Sequence, residues 1–304
     1  MRIFVTGATG YIGSAIVREL LGAGHQVIGL ARSDSAAATL STIGGVDVRR
    51  GDLADLDGLR AGAAAADGVV YAANKHITET SDPAARAGAE LNAVEAIGAE
   101  LEGTGKPFVV TLGTLGLAFG RVATEADTPD VAKLGAGGLR VPTEHAVVAM
   151  GERGVRSAVV RLAPLVHGEG DLRGFVPALI GIARAKGVSG YVGDGSNRWP
   201  AVHRLDAAHL YRLAVESAPA GSRLHAIADE GVPFREIAEA IGRRLDLPVA
   251  SVAAAEAADH FGFLGALVPI DSPASSTVTQ ELLGWRPQRL PLIADIEGDH
   301  YFTA

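Results

Sequence analysis

Several residue types and patterns are scarce or absent in this chain of 304 residues. It has no cysteine, which excludes disulfide bonds, thiol catalysis and thiolate metal sites. Aromatic residues make up 5% and apolar residues 48%; Ala carries much of the apolar count and there are 39 Gly residues besides, so we expect closely packed helices. No apolar run approaches the roughly 18 residues that a membrane span needs.

Positive charge is also in short supply. The formal net charge is −8 at pH 7, and Lys and Arg form no cluster that could serve as a nucleic-acid footprint. No histidine spacing is typical of a metal site. Because the first predicted strand begins at residue 2, we expect no signal peptide. These absences predict a soluble, cytoplasmic protein without nucleic-acid, membrane or metal partners.

The most informative stretch that the sequence does contain is its glycine-rich beginning. Ile3 to Val5 is typical of a buried strand, and the run Thr6 to Gly13 (TGATGYIG) follows at once, with an amphipathic helix pattern starting inside it. Gly7 permits a tight turn, Gly10 lets the backbone approach a pyrophosphate, and Gly13 lets the helix pack closely on the sheet. The helix N-terminus offers free N–H groups to the phosphates. This strand–loop–helix context predicts a dinucleotide site.

Strands and helices alternate along the first half of the chain, which predicts an α/β fold with a doubly wound parallel sheet of the Rossmann type. Later predicted strands are Gln26 to Leu30, Val46 to Val48, Gly68 to Tyr71, Pro107 to Thr111 and Arg156 to Arg161. The predicted helices between them are about Ser35 to Ser41, Asp57 to Ala65, Pro83 to Glu102 and Pro142 to Glu152.

The pattern changes after Arg161. Residues 162–170 and 193–200 are rich in Pro and Gly and are predicted to be loops, whereas Leu224 to Ile227 is predicted to rejoin the main sheet. We therefore assign residues 1–168 with about 202–228 to the dinucleotide-binding domain. About 169–201 and 229–304 form a smaller C-terminal substrate lobe, and the crevice between the two is the expected substrate site.

The residues after the second strand bear on the choice of cofactor. An acidic residue there would bind a ribose 2′-hydroxyl and favour NAD, but the sequence has Ala31, Arg32 and Ser33. Because a guanidinium can pair bidentately with a 2′-phosphate, this favours NADP, with NAD possible. The alternative is a merely solvated Arg32. Asp52 and Leu53, after the third strand, are placed to touch the adenine, although Asp52 could also cap the next helix.

Together, the run Thr6 to Gly13, the triplet Gly51-Asp52-Leu53 and the run Tyr71 to Asn74 (YAAN) resemble an extended short-chain dehydrogenase/reductase, a group often labelled NAD-dependent epimerase/dehydratases. The resemblance covers nearly the whole chain. It implies further cofactor contacts from these residues: Thr9, Tyr11, Ile12, Ala72, Ala73, Asn74, Thr111, Pro164 and Val166. It also implies a possible homodimer through the Pro83 helix and the Pro142 helix.

The sequence departs from this family where the family's proton chemistry resides. The resemblance calls for a Ser or Thr after the fifth strand and a Tyr-x-x-x-Lys on the following helix, whose ammonium lowers the pKa of the phenol. Residues 138–146 (GLRVPTEHA) contain neither Tyr nor Lys. Tyr71 and Lys75 match the spacing, but they straddle a strand end and share no helical face. Thr114 and His145 are therefore the predicted polar groups near the nicotinamide.

Other polar residues are candidates for substrate binding, and each has a structural alternative. His76 follows the fourth strand, His167 follows the sixth, and His203 comes after a tryptophan. A histidine suits acid chemistry at neutral pH, yet a structural role is the alternative for each one. Arg198 resembles the family's diphosphate-binding arginine, and Trp199 could stack on a sugar or make a lid contact. Glu144 is expected to pair with Arg140 at i, i+4 or to cap locally, and not to replace the family's Lys.

Three functional hypotheses follow from these residues. The first is an NADP(H)-dependent oxidoreductase that acts on a carbonyl or alcohol of a small molecule with non-standard acid/base residues. The second is a catalytically silent NADP(H)-binding sensor or partner-binding protein, which the absence of Tyr and Lys favours. The third is a nucleotide-sugar epimerase or dehydratase, which fits the resemblance but lacks the expected base.

Overall fold

A seven-stranded parallel sheet forms the centre of the protein in the computed structural model, which describes residues 1–74, 82–129 and 135–302. Its strands are β1 Arg2–Thr6, β2 Gln26–Ala31, β3 Val46–Arg50, β4 Gly68–Tyr71, β5 Pro107–Gly113, β6 Arg156–Leu162 and β10 Ser222–Ala226. The strand order is β3-β2-β1-β4-β5-β6-β10, and every pairing is parallel. The predicted Rossmann-type sheet is confirmed.

Helices cover both faces of this sheet, as the two-residue period of buried strands requires. Ile3 and Val5 of β1 point into a core with one set of helices, whereas Phe4 points into the core on the opposite face. The first face carries α1 Tyr11–Gly22 and α7 Arg204–Ser217, and the second carries α3 Leu56–Ala64, α4 Pro83–Leu101 and α5 Val141–Met150. Helix α2, Asp34–Ser41, packs against β2 and β3. No helix in the described ranges is both long and apolar enough to cross a membrane.

A smaller lobe is built from the remaining elements around a separate core that contains Trp199, Phe234 and Phe261. Its strands are β7 Leu165–His167, β8 Ser189–Val192, β9 Arg198–His203, β11 Asp229–Pro233 and β12 Val249–Val252, paired as β11-β9-β7 and β12-β8. Its helices include α6 Phe175–Lys186, α8 Phe234–Leu245, α9 Ala257–Phe261 and α11 Leu292–Ile296, and α10 Thr277–Leu283 packs near β10.

The largest departures from the sequence prediction lie in the two segments expected to be loops. Residues 162–170 contain strand β7, and residues 193–200 contain the start of β9. These two strands pair in parallel with each other, so a partner distant in sequence satisfies backbone groups whose local Pro and Gly content indicated a loop. The predicted return of Leu224 to the main sheet is confirmed, because β10 pairs with β6.

Candidate functional site

The glycine loop between β1 and α1 has little room for any side chain. Gly7 has φ +69°, and a Cβ there would lie 2.7 Å from the carbonyl oxygen of Ala72. A Cβ at Gly13 would lie 2.0 Å from the carbonyl oxygen of Gly7, which also accepts a 2.9 Å hydrogen bond from the Gly10 N–H. The backbone is therefore packed against the ends of β1 and β4, and an added side chain would disrupt it.

A cavity of about 260 Å³, here called the first cavity, opens beside this loop at the carboxyl ends of β1, β2, β3 and β4. Its lining residues are Gly7, Thr9, Gly10, Leu30, Arg32, Ala36, Gly51, Asp52, Leu53, Ala72, Ala73, Asn74 and Arg173. The sequence singled out most of them. The carboxyl edge of an open parallel sheet is where such folds bind ligands.

The residues predicted to decide between NADP and NAD, Arg32 and Ser33, lie in different surroundings. Arg32 lines the first cavity, whereas the Ser33 hydroxyl caps helix α2 by accepting a 3.2 Å hydrogen bond from Ala36 N–H. Asp52 lines the cavity and accepts a 2.9 Å hydrogen bond from Ala54 N–H. Helix α3 is capped by a different residue, Asp55, so Asp52 is not the cap of that helix.

A second cavity of about 710 Å³ lies between the glycine loop and the smaller lobe. It is lined by Thr9, Gly10, Tyr11, Ile12, Ser14, Leu162, Ala163, Pro164, Val166, Gly170, Asp171, Leu172, Arg173, Gly174, Phe175 and Arg204. Thr9, Gly10 and Arg173 line both cavities, so a ligand that spans them passes between the glycine loop and Arg173. Arg173 is exposed on the segment before α6, and sequence reasoning missed it because no local motif surrounds it.

Tyr11 joins the glycine loop to the smaller lobe. Its hydroxyl donates a 3.0 Å hydrogen bond to the carbonyl oxygen of Gly168, and the Arg204 guanidinium lies 4.5 Å from the centre of its ring. Arg204 also donates to the carbonyl oxygen of Glu169 at 2.7 Å. Burial raises the pKa of Tyr11, so the phenol stays protonated and acts as a fixed donor. These contacts hold the wall of the second cavity in place.

The two predicted polar groups near the nicotinamide are not brought together. Thr114 is fully buried, and its hydroxyl donates a 3.3 Å hydrogen bond to the carbonyl oxygen of Leu162. His145 is exposed on α5, whereas Glu144 next to it is buried. Neither Thr114 nor His145 lines the two cavities. Thr111 is also directed elsewhere, because its hydroxyl hydrogen-bonds the Tyr211 hydroxyl at 2.7 Å.

A third pocket, the α5 pocket, lies where β5 ends and α5 begins. It has a volume of about 210 Å³ and is lined by Leu112, Gly113, Leu115, Leu117, Pro129, Arg140, Val141 and Glu144. Arg140 donates from Nε to Glu90 Oε2 at 2.7 Å and from Nη2 to Glu90 Oε1 at 2.5 Å and to the Thr111 carbonyl oxygen at 2.9 Å. Burial works against the Arg140 charge, but the hydrogen bonds and charge of Glu90 prevail and raise the pKa of Arg140.

Glu144 belongs to a buried ionic network, and the expected pair with Arg140 is wrong. Its carboxylate accepts 3.0 and 2.8 Å hydrogen bonds from the Nε atoms of Arg161 and Arg223. Arg161 is fully buried and also donates to His225 Nε2 at 3.1 Å. Burial opposes the Glu144 charge, but the two arginines outweigh it and lower the pKa of Glu144. Strands β6 and β10 thus offer Glu144 closer partners than its own helix does.

His225 is neutral within this network. Because a guanidinium can only donate, Nε2 of His225 must accept from Arg161, so Nδ1 carries the proton and donates to the Ser275 carbonyl oxygen at 2.7 Å. Burial and the positive charge of Arg161 lower the pKa of His225 to about 4. The side chain of His225 is therefore an uncharged link between β10 and the segment before α10.

The predicted substrate-binding residues are mostly engaged within the smaller lobe. Trp199 is fully buried and donates a 3.0 Å hydrogen bond to the Ile270 carbonyl oxygen, so it offers no ring face to a ligand. Arg198 pairs with Asp271 at 3.0 Å. His167 is fully buried, with Nδ1 2.8 Å from Asp295 Oδ2, and His203 caps α7. His76 lies outside the described residues, as does Lys75.

The described ranges contain no group of three or more His, Asp or Glu side chains that could hold a metal ion. The polar groups that line the cavities include the backbone of the glycine loop, the guanidinium groups of Arg32, Arg140, Arg173 and Arg204, the carboxylates of Asp52, Glu144 and Asp171, and the hydroxyl groups of Thr9, Tyr11 and Ser14. Arginine carries a permanent positive charge and cannot act as a proton donor at neutral pH. The site is thus suited to holding phosphates and polarising oxygen atoms.

The chain is similar in sequence and in fold to known proteins. The sequence matches the NAD dependent epimerase/dehydratase family over residues 3–227. It is 47% identical to an uncharacterized protein of Schizosaccharomyces pombe over 99% of this chain and 100% of that one. It is 29% identical to a 2-alkyl-3-oxoalkanoate reductase of Stenotrophomonas maltophilia, over 78% of this chain and 73% of that one. A dTDP-glucose 4,6-dehydratase structure from Streptomyces venezuelae, solved with NAD, has the same fold, with a TM-score of 0.77, 19% identity, and coverage of 98% and 95%.

Proposed function

The chain belongs to the NAD dependent epimerase/dehydratase family, and we propose that it binds NADP(H) and reduces or oxidises a carbonyl or alcohol group of a small molecule. The observation that carries the proposal is the first cavity, where the glycine loop and Arg32 line the same space. Arg32 follows β2 directly, where an acidic residue would favour NAD. A guanidinium in that position suits a 2′-phosphate.

The way in which the two cavities adjoin supports the binding of a dinucleotide. A dinucleotide has two nucleosides joined by a pyrophosphate, and the two cavities meet at Thr9, Gly10 and Arg173. In this proposal Asp52 and Leu53 contact the adenosine half, while Pro164 and Val166 contact the nicotinamide half. A bound NADPH would supply the hydride. The residues of the chain hold the cofactor, exclude water through apolar walls and orient the substrate.

A small carbonyl compound is favoured over a nucleotide-sugar as substrate. The relative from Stenotrophomonas maltophilia is named as a reductase of a 3-oxoalkanoate, which supports reduction of a carbonyl. Arg198, the residue expected to bind a sugar diphosphate, is already paired with Asp271. The α5 pocket, in addition, has mainly apolar walls.

A catalytically silent NADP(H)-binding protein is the second candidate. The observation that favours it is the network on α5, where Glu144 is held in ion pairs with Arg161 and Arg223. If α5 serves only to stabilise the fold, the cofactor site is unaffected. A protein that only binds the cofactor needs no proton donor on this helix. Under this hypothesis, cofactor binding would be read by a partner protein rather than used for turnover.

The test of the proposal is fluorescence titration with NADPH and NADH. The wild-type protein should prefer NADPH, and Arg32→Ala should weaken NADPH binding by about 10- to 100-fold, because a charge-assisted contact to phosphate is lost. Binding of NADH should change little. Arg18→Ala, an exposed arginine on α1, serves as the control. Preference of the wild-type protein for NADH would overturn the role of Arg32.

Turnover separates the two candidates. NADPH oxidation is followed with a panel of aldehydes and ketones, and oxidoreductase function predicts activity with at least one compact apolar member. Tight NADPH binding without turnover across the whole panel would favour the silent protein. Absence of binding to either cofactor would rule out both candidates.

A further inference from the structure

The α5 pocket lies on the same sheet edge as the two cofactor cavities. Leu112 and Gly113 are the last residues of β5, and Gly113 pairs with Leu162 of β6, which lines the second cavity. Most of the pocket wall is aliphatic, with Leu112, Leu115, Leu117 and Val141 among its members. A ligand that fits this wall is compact and apolar, because polar groups would lose hydration there without gaining partners.

Arg140 supplies the polar feature of this wall, and its unused donors can be counted. A guanidinium has five N–H groups. The Nε–H and both hydrogens of Nη2 are accounted for by the two oxygens of Glu90 and the carbonyl oxygen of Thr111. Among the described residues, Nη1 makes no hydrogen bond, so two N–H groups on one nitrogen remain. One nitrogen suits a single oxygen atom, whereas a carboxylate fork would need donors on two.

The charge balance of the pocket points to a neutral ligand oxygen. The two charged residues that line the pocket, Arg140 and Glu144, have opposite signs, and Arg140 is also paired with Glu90, which is 3% exposed. The pocket lining therefore carries no net positive charge that would attract an anion strongly. The two N–H groups of Nη1 nevertheless belong to a guanidinium that is permanently charged. A carbonyl oxygen that accepts a hydrogen bond from them would therefore be polarised.

We propose that the α5 pocket binds a compact apolar aldehyde or ketone, with its carbonyl oxygen hydrogen-bonded to Nη1 of Arg140. The inference deepens the proposed oxidoreductase function by naming the substrate class and the group that contacts its oxygen. Arg140 keeps its proton, so it makes the carbonyl carbon more electrophilic without acting as an acid. The step concerns binding and polarisation, and no bond is formed or broken in it.

The experiment uses benzaldehyde as the probe, in the absence of cofactor. The test variant is Glu90→Gln/Arg140→Gln, which removes both charges so that neither is left buried alone. The control is Arg235→Gln/Glu239→Gln, an exposed pair on α8 that removes the same charges elsewhere. Benzaldehyde affinity is measured by NMR titration, the carbonyl stretching frequency of the bound probe by infrared difference spectroscopy, and NADPH affinity by fluorescence.

The expected result is at least a tenfold loss of benzaldehyde affinity in the test variant and none in the control. The carbonyl band should lie at lower frequency in the wild-type protein than in the test variant, a difference that a merely structural Arg140 would not cause. Equal affinities and equal band positions in all three proteins, or no benzaldehyde binding to the wild-type protein, would overturn the inference.

NADPH affinity distinguishes this failure from failure of the proposed function. If NADPH binds the wild-type protein and the benzaldehyde results are negative, the α5 pocket assignment alone is wrong. If NADPH does not bind, the oxidoreductase proposal fails, whatever the aldehyde result. Should the double variant fail to fold, Arg140→Lys replaces it. An ammonium keeps the charge but cannot contact Glu90 and Thr111 as the fork does, so an intermediate loss of affinity is expected, and an unchanged affinity would count against the proposal.

Discussion

The first cavity and the region around α5 lie along one edge of the same sheet but are built in opposite ways. The first cavity is lined largely by backbone and small side chains, and its glycine loop tolerates no Cβ at Gly7 or Gly13. The α5 region is built from charged side chains that satisfy one another, with Arg140 on Glu90 and Arg161 on Glu144. The first cavity presents hydrogen-bond donors to a ligand, whereas the α5 region uses most of its hydrogen-bond donors in contacts within the protein.

This difference would allow a chain of this fold to keep the glycine loop without a Tyr-x-x-x-Lys pair on α5. Nucleotide binding depends on the backbone shape of one contiguous segment, so it survives independently of α5. In this structure Glu144 ties α5 to β6 through Arg161 and to β10 through Arg223. In the α5 region, the Nη1 nitrogen of Arg140 remains available to a ligand. The following substitutions test the difference between the first cavity and the α5 region.

The largest effect on NADPH affinity is expected at the glycine loop. Gly13→Ala would place a Cβ 2.0 Å from the carbonyl oxygen of Gly7, so the loop must move and NADPH affinity should fall at least about 100-fold, or 2.7 kcal/mol. Gly22→Ala on the same helix meets nothing within 4 Å and should leave the affinity unchanged. Fluorescence titration measures both. Normal binding by the Gly13 variant would show that the loop is not the cofactor cradle.

Breaking the α5 network should instead destabilise the fold. Arg161→Met removes one of the two arginines that balance the negative charge of Glu144, and it removes the hydrogen-bond donor to His225. We therefore expect a loss of about 3–5 kcal/mol in the free energy of unfolding. Arg235→Met, which breaks an exposed pair, should cost at most about 1 kcal/mol. Urea unfolding gives both values. A small effect at Arg161 would mean that the network contributes little to stability.

The same network should make stability depend on pH. The unfolded chain protonates His225 near the ordinary value of 6.5, whereas the folded protein takes up that proton only near its pKa of about 4. As pH falls from 7 to 4.5 the unfolded state therefore binds more protons, and stability falls, by about 2 kcal/mol from this group. His225→Gln should reduce the pH dependence by that amount in urea unfolding. An equally steep dependence in the variant would assign it to other groups.

The smallest effect is expected at Arg173, which connects the first cavity to the smaller lobe. Arg173→Gln should weaken NADPH binding about three- to tenfold, because an exposed charge contact to the pyrophosphate is lost. Binding of 2′-AMP, which lacks the pyrophosphate, should not change, and Arg184→Gln on α6 is the matched control. If both ligands lose affinity equally, Arg173 acts on the adenosine half instead.

Much of the fold could be predicted from local sequence patterns. The residues that line the candidate site could be predicted only in part. The alternating strands and helices, the start of α4 at Pro83 and the return of β10 to the main sheet follow from periodicity and capping signals. Strands β7 and β9 escaped prediction because their paired residues are 36 positions apart and because loop-like glycine and proline residues surround them. A pairing of that kind leaves no signal within a local window.

By itself, the sequence determined the glycine loop, the sheet that holds it and the arginine after β2, because each depends on residues within one short window. Only the tertiary structure decided which charges are left to meet a ligand. Arg140 is 50 residues from Glu90, and Arg161 is 64 from His225, so their pairing depends on how α4, α5 and the strands pack. A buried charge takes the nearest partner that the fold supplies, and that partner is fixed in space rather than by spacing along the chain.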